Sequence, residues 1–315
     1  MIENSRLKIL RDRSKMLAAA RQFFYSRNML EVDCPLITSA ASIDAHIDLI
    51  PTEHKTGKRY LHSSPEYGMK RLLTEGIGDI FQLAHVFRQE ETGTKHNPEF
   101  MMAEWYRLGF TFEEMMNETL DFVRVFLGPI QGCILSYHDA FQNYVGIDPY
   151  KSSCQDLLKI LNDHQLPLYS GVEEESKDNL LNLILGMLIE PHLGKDNLIA
   201  LAYYPASQAA LAKTRLRPEG DVAERFEVYF QGIELANGYH ELADPKEQRI
   251  RFNEANLERK NLGKETLPLD ERFLGALEKG LPDCCGVAVG VDRLMMLRHQ
   301  VKNISEIITF GWDQA

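Results

Sequence analysis

The sequence predicts an α+β fold, because apolar residues recur at helical spacing in some segments and at every second position in others. Helical stripes mark residues 9–24 and 111–127, whereas residues 80–90 and 100–108 alternate, with a polar loop between them, as an antiparallel hairpin does. A third alternating segment, residues 286–291, carries valines on one side and only glycine or alanine on the other.

In chain order, Ile9, Met16 and Phe23 run beside Leu10, Leu17 and Phe24, giving one amphipathic helix that ends near Arg27. Glu31 to Ile37 reads as an extended segment interrupted by Pro35, which suits an edge or a subunit contact. Ser64 caps a second helix with Pro65 at its first position and Met69, Leu72 and Leu73 on its buried face. The strand from Ile80 to Glu90 carries Gln82, Ala84, Val86, Arg88 and Glu90 on one side, and its partner carries Phe100, Met102, Glu104 and Tyr106. Thr111 and Glu114 form a capping box for the next helix. Residues 129–200 mix a strand with short helices, including a buried one from Leu180 to Ile189, and Glu173 to Glu175 form a solvated acidic run. Phe226 to Glu241 is β-like but broken by Gly232 and Gly238, Asp244 and Pro245 open another helix, and a last helix begins near Asp292.

Composition narrows the function. With 44% apolar and 26% charged residues in 315, the chain can bury a full core, and nothing in its composition marks a linker or a repeat, so residues 1–315 are expected to form a single domain. A net charge of −11 disfavours nonspecific binding to nucleic acid or anionic membrane. No stretch is long and apolar enough to span a bilayer, and the charged N-terminus is unlike a signal peptide, so a cytoplasmic location is expected. Cys34, Cys133, Cys154, Cys284 and Cys285 form no C-x-x-C pair and read as reduced thiols.

Four groupings could carry chemistry. Arg88 and Glu90 end a strand before a loop with Lys95, His96 and Asn97, and an arginine there suits a phosphate because its planar fork donates parallel hydrogen bonds; a structural ion pair is the plainer reading. Glu227 and Glu234, seven residues apart, would face opposite sides of an unbroken strand, so they can hold one Mg²⁺ only if the chain turns at Gly232. The bare face of Gly286, Ala288 and Gly290 leaves room for a flat ligand, and Arg293 follows at a helix start where a second phosphate could be caught. Glu66, Glu104, Tyr106, Asn237 and Glu241 lie on or near these segments; carboxylates gathered without obvious lysines imply a cationic ligand such as a diamine.

Taken together these segments resemble a known family. FRQEETGTKHNPEFMMAEWY (87–106) resembles the second signature motif of class II aminoacyl-tRNA synthetases of the lysyl type, and GVAVGVDRLMML (286–297) the third. SRNMLEVDCPLI (26–37) is similar to the dimer-forming first motif, and YPASQAALAK (204–213) and RFEVYFQGIELANGYHEL (225–242) match the lysyl subgroup. The resemblance implies the class II catalytic domain, an antiparallel sheet flanked by helices, as a homodimer. The first motif begins too near the N-terminus for an anticodon-binding barrel to precede it, which argues against transfer RNA as substrate. The short form resembles the elongation factor P lysyltransferase family, which activates (R)-β-lysine, a relative of lysine, and attaches it to a lysine of that factor. A minimal synthetase, an amide ligase acting on a small amine, and a catalytically inert module on the same fold are the alternatives. Carried over, the resemblance implies that Arg88 contacts the α-phosphate of ATP, Arg293 the γ-phosphate, and Glu227 and Glu234 Mg²⁺. Phe100 would stack on adenine, with Gln89, Glu90, Asn97, Leu235 and Gly290 completing the ATP site. Ser64, Pro65, Glu66, Glu104, Tyr106, Asn237, Glu241 and Ala288 would surround the amino acid, Ala288 standing where lysyl synthetases generally have glycine.

Overall fold

Helix α1 (Ser5–Tyr25) opens the part of the chain that this computed structural model describes, residues 5–315. It buries Met16, Ala20, Phe23 and Phe24, and the Phe24 ring stacks on Phe81 at 4.4 Å and Phe122 at 5.1 Å, with Trp105 also at 5.1 Å. The helix stops at Tyr25 rather than Arg27 because the chain turns over at Asn28, whose φ of 58° is one that asparagine tolerates. Pro35 divides the expected extended segment into two short strands, β1 (Leu30–Glu31) and β2 (Ile37–Thr38). β2 joins β3 (Pro51–His54) and β4 (Gly57–Leu61) in a small sheet, for which the polar sequence offers no apolar alternation.

Helix α2 (Glu66–Thr74) starts one residue later than expected, with Pro65 rather than Ser64 in the cap position; the Ser64 hydroxyl still accepts from the Glu66 N–H at 3.0 Å. β5 (Ile80–Phe87) and β6 (Glu99–Leu108) pair antiparallel, setting Gln82 opposite Glu104, Ala84 opposite Met102 and Val86 opposite Phe100. β1 lies parallel on the other side of β5. The strand ends at Phe87, three residues before the expected Glu90, and Glu90 takes a left-handed φ of 62°, so Arg88 and Glu90 do not share a strand face. α3 (Phe112–Leu127) carries the capping box of Thr111 and Glu114.

The chain divides into two compact units, one comprising residues up to 128 with 241–315 and the other residues 129–240. The second unit contains β7 (Gly132–Ser136), α4 (Tyr137–Val145), α5 (Cys154–Asp163) and α6 (Lys177–Ile184). α6 passes into a π turn, Leu185–Ile189, within the expected helix, and Leu180, Leu181, Ile184, Leu185 and Ile189 are buried. Four strands follow, β8 (Leu198–Pro205), β9 (Thr214–Arg217), β10 (Gly220–Phe230) and β11 (Ile233–His240). β8 runs parallel to β7 and antiparallel to β10, which pairs with β9 and β11. Every residue of β8 is buried, so no polar alternation betrays it in the sequence. Gln231 and Gly232, at φ 50° and 67°, make the tight turn between β10 and β11, whereas Gly238 pairs with Phe226 inside the ladder and breaks nothing.

Back in the first unit, α7 (Pro245–Asn261) is capped by Asp244, and α8 (Glu271–Gly280) precedes β12 (Cys284–Gly290) and α9 (Val291–His299). β12 pairs antiparallel with β6. Val287 and Val289 pair with Trp105 and Ala103 on the core face, while Gly286, Ala288 and Gly290 pair with Tyr106, Glu104 and Met102. The buried carboxylate of Asp292 accepts from the Met101 N–H at 2.8 Å and pairs with Arg13 at 2.5 Å, tying α9 to β6 and α1. All five cysteines are free thiols, with Cys34, Cys284 and Cys285 buried, Cys154 half-buried and Cys133 exposed. Among the described residues no helix is long and apolar enough to cross a membrane.

Phe24 is the ring on which α1, α3, β5 and β6 converge. Phe24→Ala is expected to cost about 3 to 5 kcal/mol, read as a lower midpoint in urea denaturation.

Candidate active site

The candidate site of the first unit is built on the face that β6 and β12 present together. Cross-strand neighbours point the same way, so Tyr106 and Glu104 project beside Gly286 and Ala288. The glycine is required: a Cβ on Gly286 would lie 2.3 Å from the Tyr106 ring and 2.4 Å from a Glu241 carboxylate oxygen. Glu241 therefore rests directly against the β12 backbone at Gly286, on the side where the Tyr106 ring lies. Ser64 donates to Glu104 Oε2 at 2.7 Å, and the Tyr106 hydroxyl donates to Glu104 Oε1 at 2.8 Å.

Glu66, Glu104 and Glu241 are 8%, 2% and 2% exposed, so three carboxylates are withdrawn from water together. The expectation that no lysine accompanies them is corrected by Lys70, which is 0% exposed and places its ammonium 2.6 Å from Glu66 and 2.5 Å from Glu241. Its signal was available, since Lys70 stands four residues beyond Glu66 on the helix that Ser64 and Pro65 introduce. Burial opposes the Lys70 charge, but Glu241 and Glu66 outweigh it and raise its pKa above the ordinary lysine value. Glu104 feels the Lys70 charge least among the influences on it. Burial first, and the Glu66 charge second, push its carboxyl up to about 8, against the lowering effect of the Ser64 and Tyr106 hydroxyls.

A second group of the same unit surrounds the turn after β5. The Arg88 guanidinium lies over the Phe100 ring at 5.2 Å, touches Glu91 at 3.5 Å, and keeps its buried Nε without a hydrogen-bond acceptor. An orphaned donor at a partly exposed arginine fits an incoming phosphate oxygen. Arg293, at the start of α9, directs Nη2 to His96 at 2.8 Å. Burial, and then the Arg293 charge, hold His96 below its ordinary value, so its ring is neutral and can accept. Gln89 donates its N–H to the Asp48 carbonyl at 2.8 Å, while Glu90 is exposed in its left-handed turn. Asn97 spends its amide on backbone, donating to the Glu99 carbonyl at 2.7 Å and accepting from the Trp312 N–H at 3.0 Å. The same loop accepts the Ile304 N–H at the Thr94 carbonyl, at 2.8 Å. Gly290 closes β12 beside Met102, and Pro65 is buried behind Ser64.

Glu227, Glu234, Leu235 and Asn237 belong to the second unit. The turn at Gly232 folds β11 onto β10, and the register slips between Val228 and Tyr229, leaving Leu235 as the extra residue. Glu227 pairs with Asn237 and Tyr229 with Glu234, so the bulge brings Glu227 and Glu234 to one face of the ribbon. Glu227 already accepts from Arg225 at 2.5 Å, Tyr204 at 2.7 Å and Tyr229 at 2.5 Å. Arg225, which the sequence did not single out, also donates to Asn237 at 3.3 Å and to the Gln208 carbonyl at 3.1 Å. A carboxylate offers about four lone-pair sites, so Glu227 keeps one for a hard cation. That donor set fits the mode in which Mg²⁺ takes one or two carboxylates and completes its shell with phosphates and water.

The sequence pattern described as "tRNA synthetases class II (D, K and N)" matches residues 1–314. The chain belongs to the class II aminoacyl-tRNA synthetase family. It is 43% identical to a protein of Haemophilus influenzae (strain PittGG), over 98% of this chain and 96% of that one. Relatives from Pasteurella multocida (strain Pm70) and Klebsiella pneumoniae (strain 342) are 42% and 44% identical, each over 96% of this chain and 94% of theirs. All three carry the name "Elongation factor P--(R)-beta-lysine ligase". The antiparallel ladders flanked by helices are those expected of a class II synthetase, and the segments that resemble its second and third motifs form the β5–β6 hairpin and the β12–α9 junction.

A carboxyl whose pKa rises from 4.5 unfolded to about 8 folded holds a proton in the native state that the unfolded chain has lost. The stability it contributes is complete below the unfolded pKa and disappears as pH climbs to the folded one, at up to about 1.4 kcal/mol per pH unit. Glu104→Gln should flatten the pH dependence of ligand-free stability between pH 5 and 8 by that amount. Denaturation midpoints of both proteins across this range measure it.

Proposed function

We propose that this chain activates (R)-β-lysine with ATP, as an aminoacyl adenylate, and transfers it to the ε-amine of a lysine on translation elongation factor P. The observation that carries the reading is the buried carboxylate pocket of Glu66, Glu104 and Glu241 on the bare face of β12, a site for ammonium groups in a class II synthetase. The names of its relatives supply the particular diamine and the acceptor.

In this reading the substrate carboxylate attacks the α-phosphorus of ATP in line, the bond to the β-phosphate oxygen breaks, and pyrophosphate leaves. Arg88 neutralises charge growing on the α-phosphate, Arg293 releases His96 to take the γ-phosphate, and Phe100 offers its ring to adenine. Gln89, Glu90, Asn97, Leu235 and Gly290 complete the nucleotide site, the last two through backbone. Mg²⁺ held by Glu227 and Glu234 would supply further positive charge to the phosphates. Ser64, Pro65, Glu66, Glu104, Tyr106, Asn237, Glu241 and Ala288 orient the amino acid, and positioning with electrostatic stabilisation provides most of the rate. The lysine ε-amine of the acceptor then attacks the adenylate carbonyl, forming an amide, expelling AMP and losing a proton. Residues 1–315 serve as one catalytic domain, acting in the cytoplasm without transfer RNA. Leu30, Leu36 and Ile37, 51%, 41% and 46% exposed around Pro35, suit the homodimer contact.

Incubation with ATP, Mg²⁺, (R)-β-lysine and purified elongation factor P should raise the mass of the factor by one lysyl residue. An unmodified factor under conditions that support ATP–pyrophosphate exchange would redirect the reading to another amine acceptor. Exchange should proceed without transfer RNA, and Arg88→Ala should abolish it. Glu241→Gln should weaken (R)-β-lysine by about 2 to 5 kcal/mol while leaving the KM for ATP nearly unchanged. Ala288 places a methyl beside Glu104, where a single methyl shifts discrimination by about 1 to 3 kcal/mol. Ala288→Gly should therefore raise activation of α-lysine relative to β-lysine, measured as the ratio of exchange efficiencies.

A further inference from the structure

Lys70 is a buried cation with no part in the steps above, and it stands between two of the carboxylates that receive the substrate. We infer that Lys70 is a resident counter-ion that sets the charge of the amino acid pocket, so that Glu66, Glu104 and Glu241 together accept a ligand carrying two ammonium groups. The inference rests on the proposed activity for the identity of that ligand, but the counter-ion itself rests on geometry.

The charged and titratable groups around the Lys70 ammonium come from four directions. Its own helix brings Glu66 at 2.6 Å, and the segment after β11 brings Glu241 at 2.5 Å. β6 brings Glu104, whose oxygens are held by Ser64 and Tyr106. From α8 comes the Phe273 ring, 6.0 Å from the ammonium, on a helix capped by Asp270. Fully ionised, the pocket holds three negative charges and one positive, leaving two for the ligand. With the Glu104 proton in place, the ligand-free pocket needs only one more positive charge. Arrival of the second ammonium favours departure of that proton, because an opposite charge close by stabilises the carboxylate.

Without Lys70, three buried carboxylates would face a two-ammonium ligand, and like charges at that separation drive protonation of one more carboxyl. A protonated Glu66 or Glu241 no longer attracts an ammonium. Lys70 also fixes where these two carboxylates sit, since one ammonium bridges both across the gap from α2 to β12.

The test compares wild type with Lys70→Met, which keeps length and removes charge, and with Lys70→Ala in the presence and absence of propylamine. In ATP–pyrophosphate exchange, Lys70→Met should raise the KM for (R)-β-lysine at least tenfold at pH 7, leave the KM for ATP within twofold, and recover toward high pH. Propylamine should restore Lys70→Ala and leave wild type unaffected. A Lys70→Met protein with wild-type KM for (R)-β-lysine and a wild-type pH profile overturns the inference while leaving the proposed activity standing. Inactive wild type overturns the proposed activity instead. The counter-ion is then read without substrate, from denaturation midpoints of the ligand-free proteins between pH 5 and 8. Lys70→Met should bind one proton more than wild type in that range, or Lys70→Ala should do so in a form reversed by propylamine. An unchanged proton count overturns it.

Discussion

The contact of Lys70 with Glu66 and Glu241 is the constraint on which the rest of the pocket depends. Burying a charge is costly unless it is paired, and here one ammonium compensates two carboxylates from distant parts of the chain. Through Glu66 it reaches the N-terminal turn of α2, where Ser64 turns its hydroxyl to Glu104. Through Glu241 it reaches the strand β12, whose glycine at 286 is bare so that the carboxylate can rest there. Lys70, Glu104 and Gly286 thus form one device: a buried cation paired twice, a carboxyl whose protonated form is favoured by burial, and a backbone without a side chain.

The arginine after β5 is held by a different principle. Arg88 meets Glu91 only at 3.5 Å and keeps its buried Nε without an acceptor, so little electrostatic energy opposes a new partner there. In the second unit Glu227 is held the opposite way. It is fixed by Arg225 and two tyrosine hydroxyls, an arrangement that orients one remaining lone pair at the expense of freedom.

Much of this was legible in the sequence wherever a single face was half-buried. The β5–β6 hairpin, its Phe100, Met102, Glu104, Tyr106 face and the bare side of β12 follow from a period of two, and the structure pairs them as that period requires. The turn at Gly232 was legible only as the condition for Glu227 and Glu234 to meet, and the bulge that brings them to one face of the ribbon was not legible. The sequence was silent where burial was complete or absent: β8, buried along its whole length, and the polar strands β3 and β4 show no alternation. It misled at the end of β5, where the left-handed conformation of Glu90 breaks a face that alternation alone would extend. Lys70 escaped because a lysine on a helix is ordinarily a surface residue: its spacing from Glu66 signals the pair but suits a solvated face equally, and its burial goes with Glu241, far away in sequence. Arg225 escaped for another reason: it stands on a strand two residues before its partner Glu227, a spacing that an ordinary surface ion pair also has.

The order in which β6 meets its neighbours has a consequence for the timing of assembly. β6 pairs with β5 at once, but its other edge waits for β12, which emerges only after the whole of residues 129–240 has been synthesised. The loop between β5 and β6 waits longer still, for the backbone N–H groups at 304 and 312. Loop closure over such separations is slow and cannot begin before its partners exist. During synthesis, then, the hairpin is an early intermediate with one open edge, the floor beside Glu104 and Tyr106 forms once β12 has been made, and the loop is tied down later still. A nascent chain that holds the whole of β5 and β6 still lacks the β12 backbone on which Glu241 rests.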